Sequence, residues 1–384
     1  MVKNYLYIDD YASRAIVRRI YLGKEEMTGE KLLLLVEILN QMQLLSKKPI
    51  SDLAGARIRY EGFHFAGGYL LMAALTQADS HHLSYFFKNP YSSALSVFEE
   101  VFRSDIHMDE KSLALMKERV FQKQEELFRN ADEYSLSKME VVYSRPIVNL
   151  NLVASMTMDD LAGAFEKVKA SETGQYLFVG RKPKKDPLEE VFDYHKDFTG
   201  LPFDYSLQNR DSYDSDFLSD AVEFVVEFDK MVSVQDYEVI RSILYVFRNR
   251  IRKDIYEKYH IRAQVSFDCI SNYRAVISVV LPRGRWSMVS PLFEFILSPL
   301  WIRECLANYE EGVSSVRMEN IRISGNFHDA VRRMLLVSDF QLQGDVSFSK
   351  VFSVSREDFE KRASNLRKAF AYRSIHDKGE LIHD

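Results

Sequence analysis

The apolar pattern is densest over residues 28–46, where hydrophobic side chains cover nearly every face of a helical projection. A helix that is apolar nearly all round is typical of a protein interior. Thr28 can cap the N-terminus of this helix, Glu30 places a carboxylate in its first turn, and Pro49 follows its end. Glu37 is the single carboxylate in its middle. On this stretch alone, the simplest interpretation is a core helix that tolerates one glutamate.

Stretches rich in Tyr, Ile and Val flank this helix and predict strands. Residues 4–8 and 15–22 predict two strands before it. Residues 56–65 and 69–76, joined at Gly67-Gly68, predict a hairpin after it, because paired glycines supply the positive φ angles of a tight turn. The sequence then takes a helical period. Helices are predicted within residues 92–130, over 134–142 and over 157–165, followed by a short strand over 175–179.

The order of elements is then repeated. Residues 182–216 contain prolines, many charges and few apolar pairs, which favours a linker. Beyond it the pattern predicts a strand over 222–228, a helix over 234–259, strands over 261–267 and 273–281, and helices over 286–309, 313–337 and 355–367. This repetition predicts a duplicated α+β unit. The domains are expected at residues 1–181 and 217–384, with the linker at 182–216.

Composition narrows the class of protein. The chain has 384 residues and a hydrophobic content of 46%, enough for sizeable cores. Its formal net charge is −5 with acids and bases interspersed, which argues against nucleic-acid binding. The two cysteines, Cys269 and Cys305, fit a reducing compartment. The chain start is unlike a signal peptide, and no apolar run approaches the roughly 18 residues of a membrane span. We therefore expect a cytoplasmic protein that does not bind membranes.

Three short sequence motifs, taken together with this order of elements, carry a resemblance to a known family. They are Ala54-Gly55-Ala56 at the start of the hairpin, TMDDLAGAF at 157–165 and YLFVGR at 176–181. With them the chain resembles the M16 family, which includes insulinase, pitrilysin and the mitochondrial processing peptidase. The resemblance implies two similar M16-like (LuxS/metallohydrolase-like) α+β domains, each a mostly antiparallel sheet covered by helices.

The same resemblance locates a degenerate catalytic motif. Family members carry HxxEH on the helix after the first strands, where two histidines one turn apart bind zinc and the glutamate acts as general base. Here Leu34 and Ile38 stand at the histidine positions, and Glu37 stands at the base. The family's third ligand is matched by Glu125, seven residues after Glu118, although chance is an equal explanation in a helix so rich in Glu and Lys. We therefore expect no metal and no cofactor.

A second family motif, LREKxxLAYxV, supplies an Arg and a Tyr that contact substrate. In the register fixed by Glu257-Lys258, Tyr256 stands at the Arg position and Ala263 at the Tyr position, so this motif is degenerate too. A shifted register places Arg252 and Tyr259 at the same spacing, with solvated positions at a helix end as the simpler interpretation.

Three hypotheses about function follow from the resemblance. The first is a non-catalytic M16-like subunit that pairs with an active, zinc-bearing M16 metallopeptidase, as a heterodimer, to form a chamber that processes peptides. A homodimer is the other pairing considered. The second is a peptide-binding or structural module without a peptidase partner. The third is an enzyme whose ligands do not match a known motif.

Overall fold

The computed structural model describes residues 3–5, 14–45, 56–65, 68–77, 105–106, 108–130, 133–134, 137, 144–171, 175–179, 210–213, 219–324, 333, 336, 340, 342–343 and 354–376. These residues form an α+β structure with two mostly antiparallel sheets, which confirms the predicted class. By the contacts between its residues, the chain divides into two compact units. In the part of the chain that is described, no helix has the length and apolarity needed to cross a bilayer.

The first unit is built on a five-stranded sheet. Its strands are β1 (Lys3–Tyr5), β2 (Arg14–Gly23), β3 (Ala56–Phe65), β4 (Gly68–Gln77) and β5 (Gln175–Val179). They lie in the order β1-β5-β2-β4-β3, and every neighbouring pair is antiparallel except β1 with β5. The predicted hairpin of β3 and β4 is therefore present, and β3 forms one edge of the sheet.

The helices described in the first unit surround a single apolar core. They are α1 (Gly29–Leu45), α2 (Glu110–Arg129), α3 (Leu150–Ser155) and α4 (Met158–Ala170). α1 packs against β3, α2, α3 and α4, so it lies in the middle of the unit. This position explains why α1 is apolar nearly all round, since each face meets another element.

The second unit repeats this topology. Its strands are β6 (Arg210–Tyr213), β7 (Ser219–Glu227), β8 (Gln264–Cys269), β9 (Arg274–Pro282) and β10 (Arg367–His376). Their order is β6-β10-β7-β9-β8, with β6 and β10 parallel and the other pairs antiparallel. Counted along the chain, both sheets have the strand order first, fifth, second, fourth, third. β8 is thus the counterpart of β3.

The described helices of the second unit follow the same plan. They are α5 (Val234–Tyr259), α6 (Trp286–Phe295), α7 (Pro299–Cys305), α8 (Tyr309–Ser324) and α9 (Arg356–Ser364). α5 follows the second strand of its sheet, as α1 does, and α8 packs along it. A Cβ at Gly312 would lie 2.4 Å from the carbonyl oxygen of Ser242, so this glycine lets α8 approach the backbone of α5.

Some predicted boundaries in the second half are wrong. The segment predicted as one helix over 286–309 is divided, because Leu297 adopts a left-handed φ of 65° and Ser298 then caps α7 with Pro299 in its first turn. The start predicted at Val313 falls inside α8. β10 was not predicted, and β6 lies within the segment predicted as a linker.

Several predicted features lie outside the described residues. They are most of the linker at 182–216, the helical stretch 92–104, most of 134–142, the turn residue Gly67 and the phrase Ala54-Gly55. The domain boundaries at 181 and 217 therefore stay predictions.

Candidate functional site

The two positions that the resemblance aligns with zinc-binding histidines are core positions. Leu34 and Ile38 are both fully buried, and they belong to the apolar core that α1 forms with β3, β4 and the other helices. Neither side chain has an atom that can bind a metal.

Glu37 lies between them in sequence and is almost as buried, with 6% of its side chain exposed. Its Oε1 accepts a hydrogen bond from the ammonium of Lys123 on α2, and the two groups form an ion pair. Lys123 keeps 54% of its side chain exposed, so the ammonium reaches a buried carboxylate from the protein surface. A buried carboxylate needs such a partner, because desolvation without one is costly.

Other polar contacts fix α2 and its neighbours. Arg119 donates from Nη1 to Oε1 of Gln41 on α1 at 3.1 Å. Gln124 is buried, and it donates to the carbonyl of Pro146 at 3.1 Å and accepts from the amide of Val148 at 3.3 Å. These bonds hold α2 in register with α1 and with the extended segment that precedes α3.

The residues considered as a third zinc ligand are not brought to Glu37. Glu118 and Glu125 are both exposed on α2, and Glu125 pairs with Arg129 at 3.5 Å. Among the described residues, no group of three or more His, Cys, Asp or Glu side chains is arranged to hold a metal ion. The residues present therefore do not fit the zinc site of an M16 peptidase. Leu34 and Ile38 have hydrocarbon side chains at the positions aligned with two ligands, and the ammonium of Lys123 is paired with the carboxylate of Glu37.

The outer edge of β3 is partly closed. The side-chain amide of Asn40 donates to the carbonyl of Tyr60 and accepts from its amide, each at 3.0 Å. The amide of His64 donates to the carbonyl of Ser144 at 2.7 Å. Asn40 and Ser144 thus occupy the main-chain groups that a further strand would use at these two positions.

The positions of the degenerate Arg and Tyr motif lie at the end of α5 and just beyond it. Tyr256 is half-exposed at the end of α5 and meets the ring of His260 edge-on at 6.2 Å, whereas Ala263 is buried. In the alternative register, Arg252 is exposed and Tyr259 lies under the ammonium of Lys258 at 5.2 Å.

The second unit holds a larger buried polar cluster, which the sequence analysis missed. The charge network consists of Glu238, Arg241, Glu319, Asn320 and Arg333. Arg241 donates to Glu238 at 2.7 Å and to Asn320 at 3.1 Å, and it also pairs with Glu319. Arg333 donates to Asn320 at 2.9 Å and lies 3.5 Å from Glu319. The two guanidinium groups thus share the same acceptors on α5 and α8.

This network shifts the pKa values of its members. Burial alone would raise the pKa of Glu319, but the guanidinium groups of Arg241 and Arg333 and a hydrogen bond from Tyr245 lower it to about 2. Burial, together with the nearby Glu319, raises the pKa of Tyr245 to about 12. Burial opposes the charge of Arg241, yet Glu238 and Glu319 hold its pKa above the usual range.

A cavity of about 410 Å³ opens beside the network. It is lined by one face of α5, by α8 and by five consecutive residues of β8, Val265 to Cys269. The α5 residues that line it are Tyr237, Arg241, Tyr245 and Arg248. Their spacing of four, four and three residues places them on one helix face, and this polar and aromatic stripe was the available sequence signal.

Comparisons with known proteins give a fold but no sequence family. No protein-family model and no curated protein matches the chain. The solved structure of a conserved protein from Enterococcus faecalis matches with a TM-score of 0.63 and 12% identity, over 98% of this chain and 96% of that chain. The structure of a peptidase M16 inactive domain from Pseudomonas fluorescens matches with a TM-score of 0.54 and 13% identity, over 98% and 96% of the two chains.

A longer protein matches as well. The periplasmic protease PqqL from Escherichia coli has a TM-score of 0.55 and 12% identity, and the match covers 96% of this chain but 43% of PqqL. The chain therefore has an M16-like fold, and the resemblance inferred from the sequence is confirmed at that level. At these identities the likeness concerns the fold alone.

Proposed function

We propose that this chain is a non-catalytic M16-like subunit that pairs with a zinc-bearing M16 metallopeptidase and forms part of a peptide-processing chamber. One observation carries the proposal: the helix that bears HxxEH in active members here buries Leu34 and Ile38, while Lys123 neutralises Glu37. The name of the Pseudomonas fluorescens neighbour, an inactive M16 domain, supports it as a precedent.

The ion pair between Glu37 and Lys123 argues against a role of Glu37 as a general base. A base must reach the proton that it removes and must be free to accept it. Glu37 is buried, and its Oε1 already accepts a hydrogen bond from an ammonium group. The ion pair thus stabilises the packing of α1 against α2.

A silent subunit can still bind substrate. An extended peptide can add to a sheet edge through main-chain hydrogen bonds, which require no particular side chain from the sheet. The repeated strand order supports two M16-like domains in one chain, joined near residues 182–216. Such a pair of domains supplies half of a peptide chamber, and the partner peptidase supplies the other half together with the zinc. We expect the pair to act in the cytoplasm.

The main test combines pairing and activity. The chain is co-expressed with an HxxEH-containing peptidase encoded by a neighbouring gene, and co-purification of the two chains is measured. In the purified pair, Glu37→Gln should leave peptide cleavage within a few-fold, because loss of a general base typically costs about 10² to 10⁴ in rate. The same exchange at the HxxEH glutamate of the partner is the matched control and should abolish cleavage. Loss of activity from Glu37→Gln in an assembled pair would instead support an enzyme with unrecognised ligands.

Metal content tests the proposal independently of any partner. The purified chain should contain far less than one zinc ion per chain after mild chelation, because isolated carboxylates hold zinc weakly at neutral pH. Elemental analysis measures this directly, with an active M16 peptidase carried through the same steps as the positive control. About one zinc ion per chain would contradict the proposal.

The second candidate is a peptide-binding module without a peptidase partner. The cavity beside β8 favours it, since this feature lies within one unit and needs no second chain. Co-purification separates the two candidates, because a module of this kind would bind peptides while remaining free of any peptidase.

A further inference from the structure

Another cavity of the second unit lies at the break between α6 and α7. Its volume is about 580 Å³, which falls in the range of small-molecule sites. Leu297, which separates the two helices with its left-handed φ of 65°, is buried and lines this cavity. A left-handed φ is rare for a bulky residue, and strained residues of this kind cluster at ligand sites. The break is therefore a candidate binding site.

The interior of this cavity is mostly apolar. Five hydrocarbon side chains line it, those of Leu297, Pro299, Ile302, Leu306 and Leu366. Of the two serines that also line it, Ser298 accepts a hydrogen bond from the amide of Trp301 at 3.3 Å, and Ser364 donates to the carbonyl of Lys361 at 2.8 Å. Both hydroxyls are thus used at their own helix ends. An aliphatic chain suits such an interior better than a peptide main chain, whose buried amides would need partners.

Three charged side chains complete the lining. They are Glu294 on α6, Arg303 on α7 and Arg367 at the start of β10, and all three are exposed, so they lie at the mouth of the cavity. Within the described part of the chain, neither arginine takes part in an ion pair. Two cations against one acid leave one positive charge, which a ligand with a single carboxylate would neutralise.

We propose that this cavity binds a small monocarboxylate with an aliphatic chain, of the chemistry of a medium-chain fatty acid. The chain lies among the five hydrocarbon side chains, and the carboxylate is placed at Arg303 and Arg367. Burial of the chain supplies affinity, and the guanidinium groups select a carboxylate through charge-assisted hydrogen bonds. The inference goes beyond the proposed function and does not rest on it, since the whole site lies within the second unit.

The probe is decanoate, and its binding to the full chain is measured by isothermal titration calorimetry. Decanol is the uncharged ligand of matched length, and octanoate is the shorter acid. Decanoate should bind about tenfold more tightly than decanol, because it adds charge-assisted hydrogen bonds at an exposed mouth. It should also bind roughly tenfold more tightly than octanoate, because two more methylene groups are buried. Equal affinities for decanoate and decanol, or no binding of decanoate, would overturn the inference.

Variants test the two arginines at the mouth. Arg303→Gln/Arg367→Gln should lower the affinity for decanoate to that for decanol, and the affinity for decanol should not change. Arg262→Gln/Arg317→Gln is the matched control, because it removes the same charge at two exposed positions that do not line this cavity. An unchanged preference for decanoate in the first variant, or a lost preference in the control, would contradict the assignment.

The apolar interior is tested at Leu306, which is half-buried in the lining. Leu306→Trp fills the cavity, so it should weaken decanoate and decanol alike by about tenfold or more while the arginines keep their preference for the acid. Leu306→Met conserves the volume and should bind decanoate as the unmodified chain does. Unchanged affinities in Leu306→Trp would place the aliphatic chain elsewhere. Were Leu306→Trp not to fold, the exposed arginine pair would still decide the inference.

A peptide C-terminus is the competing occupant, because it also combines a carboxylate with apolar side chains. Acetyl-leucyl-leucine, titrated under the same conditions, represents it. We expect it to bind more weakly than decanoate, and tighter binding would overturn the inference in favour of a peptide. All these measurements use the chain without a partner. Failure to bind decanoate would thus leave the pairing proposal standing, and failure to co-purify a peptidase would leave this inference standing.

Discussion

The helix pair α1 and α2 of the first unit and the pair α5 and α8 of the second are built on the same strand order but treat buried charge differently. In the first pair, Glu37 is buried and is neutralised by Lys123, whose side chain is half in solvent. In the second pair, Arg241 of α5 is itself buried, and it shares Glu238, Glu319 and Asn320 with Arg333, a buried residue beyond the end of α8. Between these helices, the same topology therefore supports two arrangements. One is an adjustable ion pair, whose cation can turn into solvent, and the other is a closed network, whose cations are both buried.

This difference determines how much stability is lost when one charged residue of the pair or of the network is replaced. A cation that can turn into water loses little when its acid is removed, whereas a buried charge without its partner keeps its full desolvation penalty. The contrast extends to the sheet edges, where polar groups close β3 at two positions and β8 borders a cavity.

Both tryptophans, Trp286 and Trp301, lie in the second unit, so tryptophan fluorescence reports on that unit.

The largest effect is expected from Arg241→Met. The exchange leaves Glu238 and Glu319 beside a single remaining guanidinium, so we expect a loss of about 3 to 5 kcal/mol in the free energy of unfolding. Urea unfolding followed by tryptophan fluorescence measures this loss. Arg317→Met on the exposed side of α8 is the control and should change stability by less than about 0.5 kcal/mol. A loss similar to the control would mean that the network is not closed.

The next effect is a dependence on pH carried by Glu319. Its pKa is about 2 in the folded chain against an ordinary value of 4.5. Because the folded state binds the proton less well, Glu319 contributes stability above about pH 4.5, and this contribution is lost as the pH falls toward 2. Its size is at most about 3 kcal/mol, from the relation between pKa and free energy.

Glu319→Gln tests this dependence. The stability difference between the unmodified chain and the variant, followed by tryptophan fluorescence in urea, should shrink steadily between pH 5 and pH 2. Tyr245 donates to this carboxylate and remains protonated over the whole range, since its pKa is about 12. A difference that is constant with pH would show that Arg241 and Arg333 do not hold the carboxylate ionised.

Much of the fold could be predicted from sequence, and the failures have physical causes. The bounds of α5 agree with the predicted 234–259, because a helical apolar pattern runs over this segment; the structure adds Ser233 at its N-cap and a left-handed His260 at its C-cap. β10 was missed because its sequence, RKAFAYRSIH, contains a single β-branched residue, Ile375, and lacks the run of such residues that indicates a strand. The division after α6 was missed because the left-handed Leu297 has no glycine or asparagine to signal it.

The candidate sites were predictable to unequal degrees. Leu34, Glu37 and Ile38 could be singled out because the family resemblance aligns residues 34–38 with the HxxEH motif. Lys123 could not be assigned to Glu37, since nothing local fixes which residue of α2 faces α1 across such a separation in sequence. The charge network combines α5, α8 and Arg333, and only tertiary packing brings these together. The Tyr256 and Ala263 positions stay predictions.

A smaller effect is expected from Lys123→Met. The methionine keeps the apolar stem but leaves Glu37 buried without its cation, so we expect a loss of about 1 to 3 kcal/mol. Hydrogen exchange of residues 29–45, measured by mass spectrometry, should rise, while tryptophan fluorescence unfolding stays unchanged. Lys123→Arg should restore most of the protection because it keeps the charge. A shift of the tryptophan transition instead would show that the pair acts beyond its own unit.

The smallest effect is expected from Glu37→Gln. Glutamine has the same shape and can still accept a hydrogen bond, and Lys123 can turn its exposed ammonium into water when the carboxylate is gone. We expect the exchange to cost less than about 1 kcal/mol, below the loss from Lys123→Met. The double variant Glu37→Gln/Lys123→Met should be more stable than Lys123→Met alone, since it no longer buries an unpaired carboxylate. Hydrogen exchange of residues 29–45 in the four proteins completes the cycle. If Glu37→Gln were the more damaging single exchange, the acid would have a further partner in the core, and the contrast between an adjustable pair and a closed network would have to be abandoned.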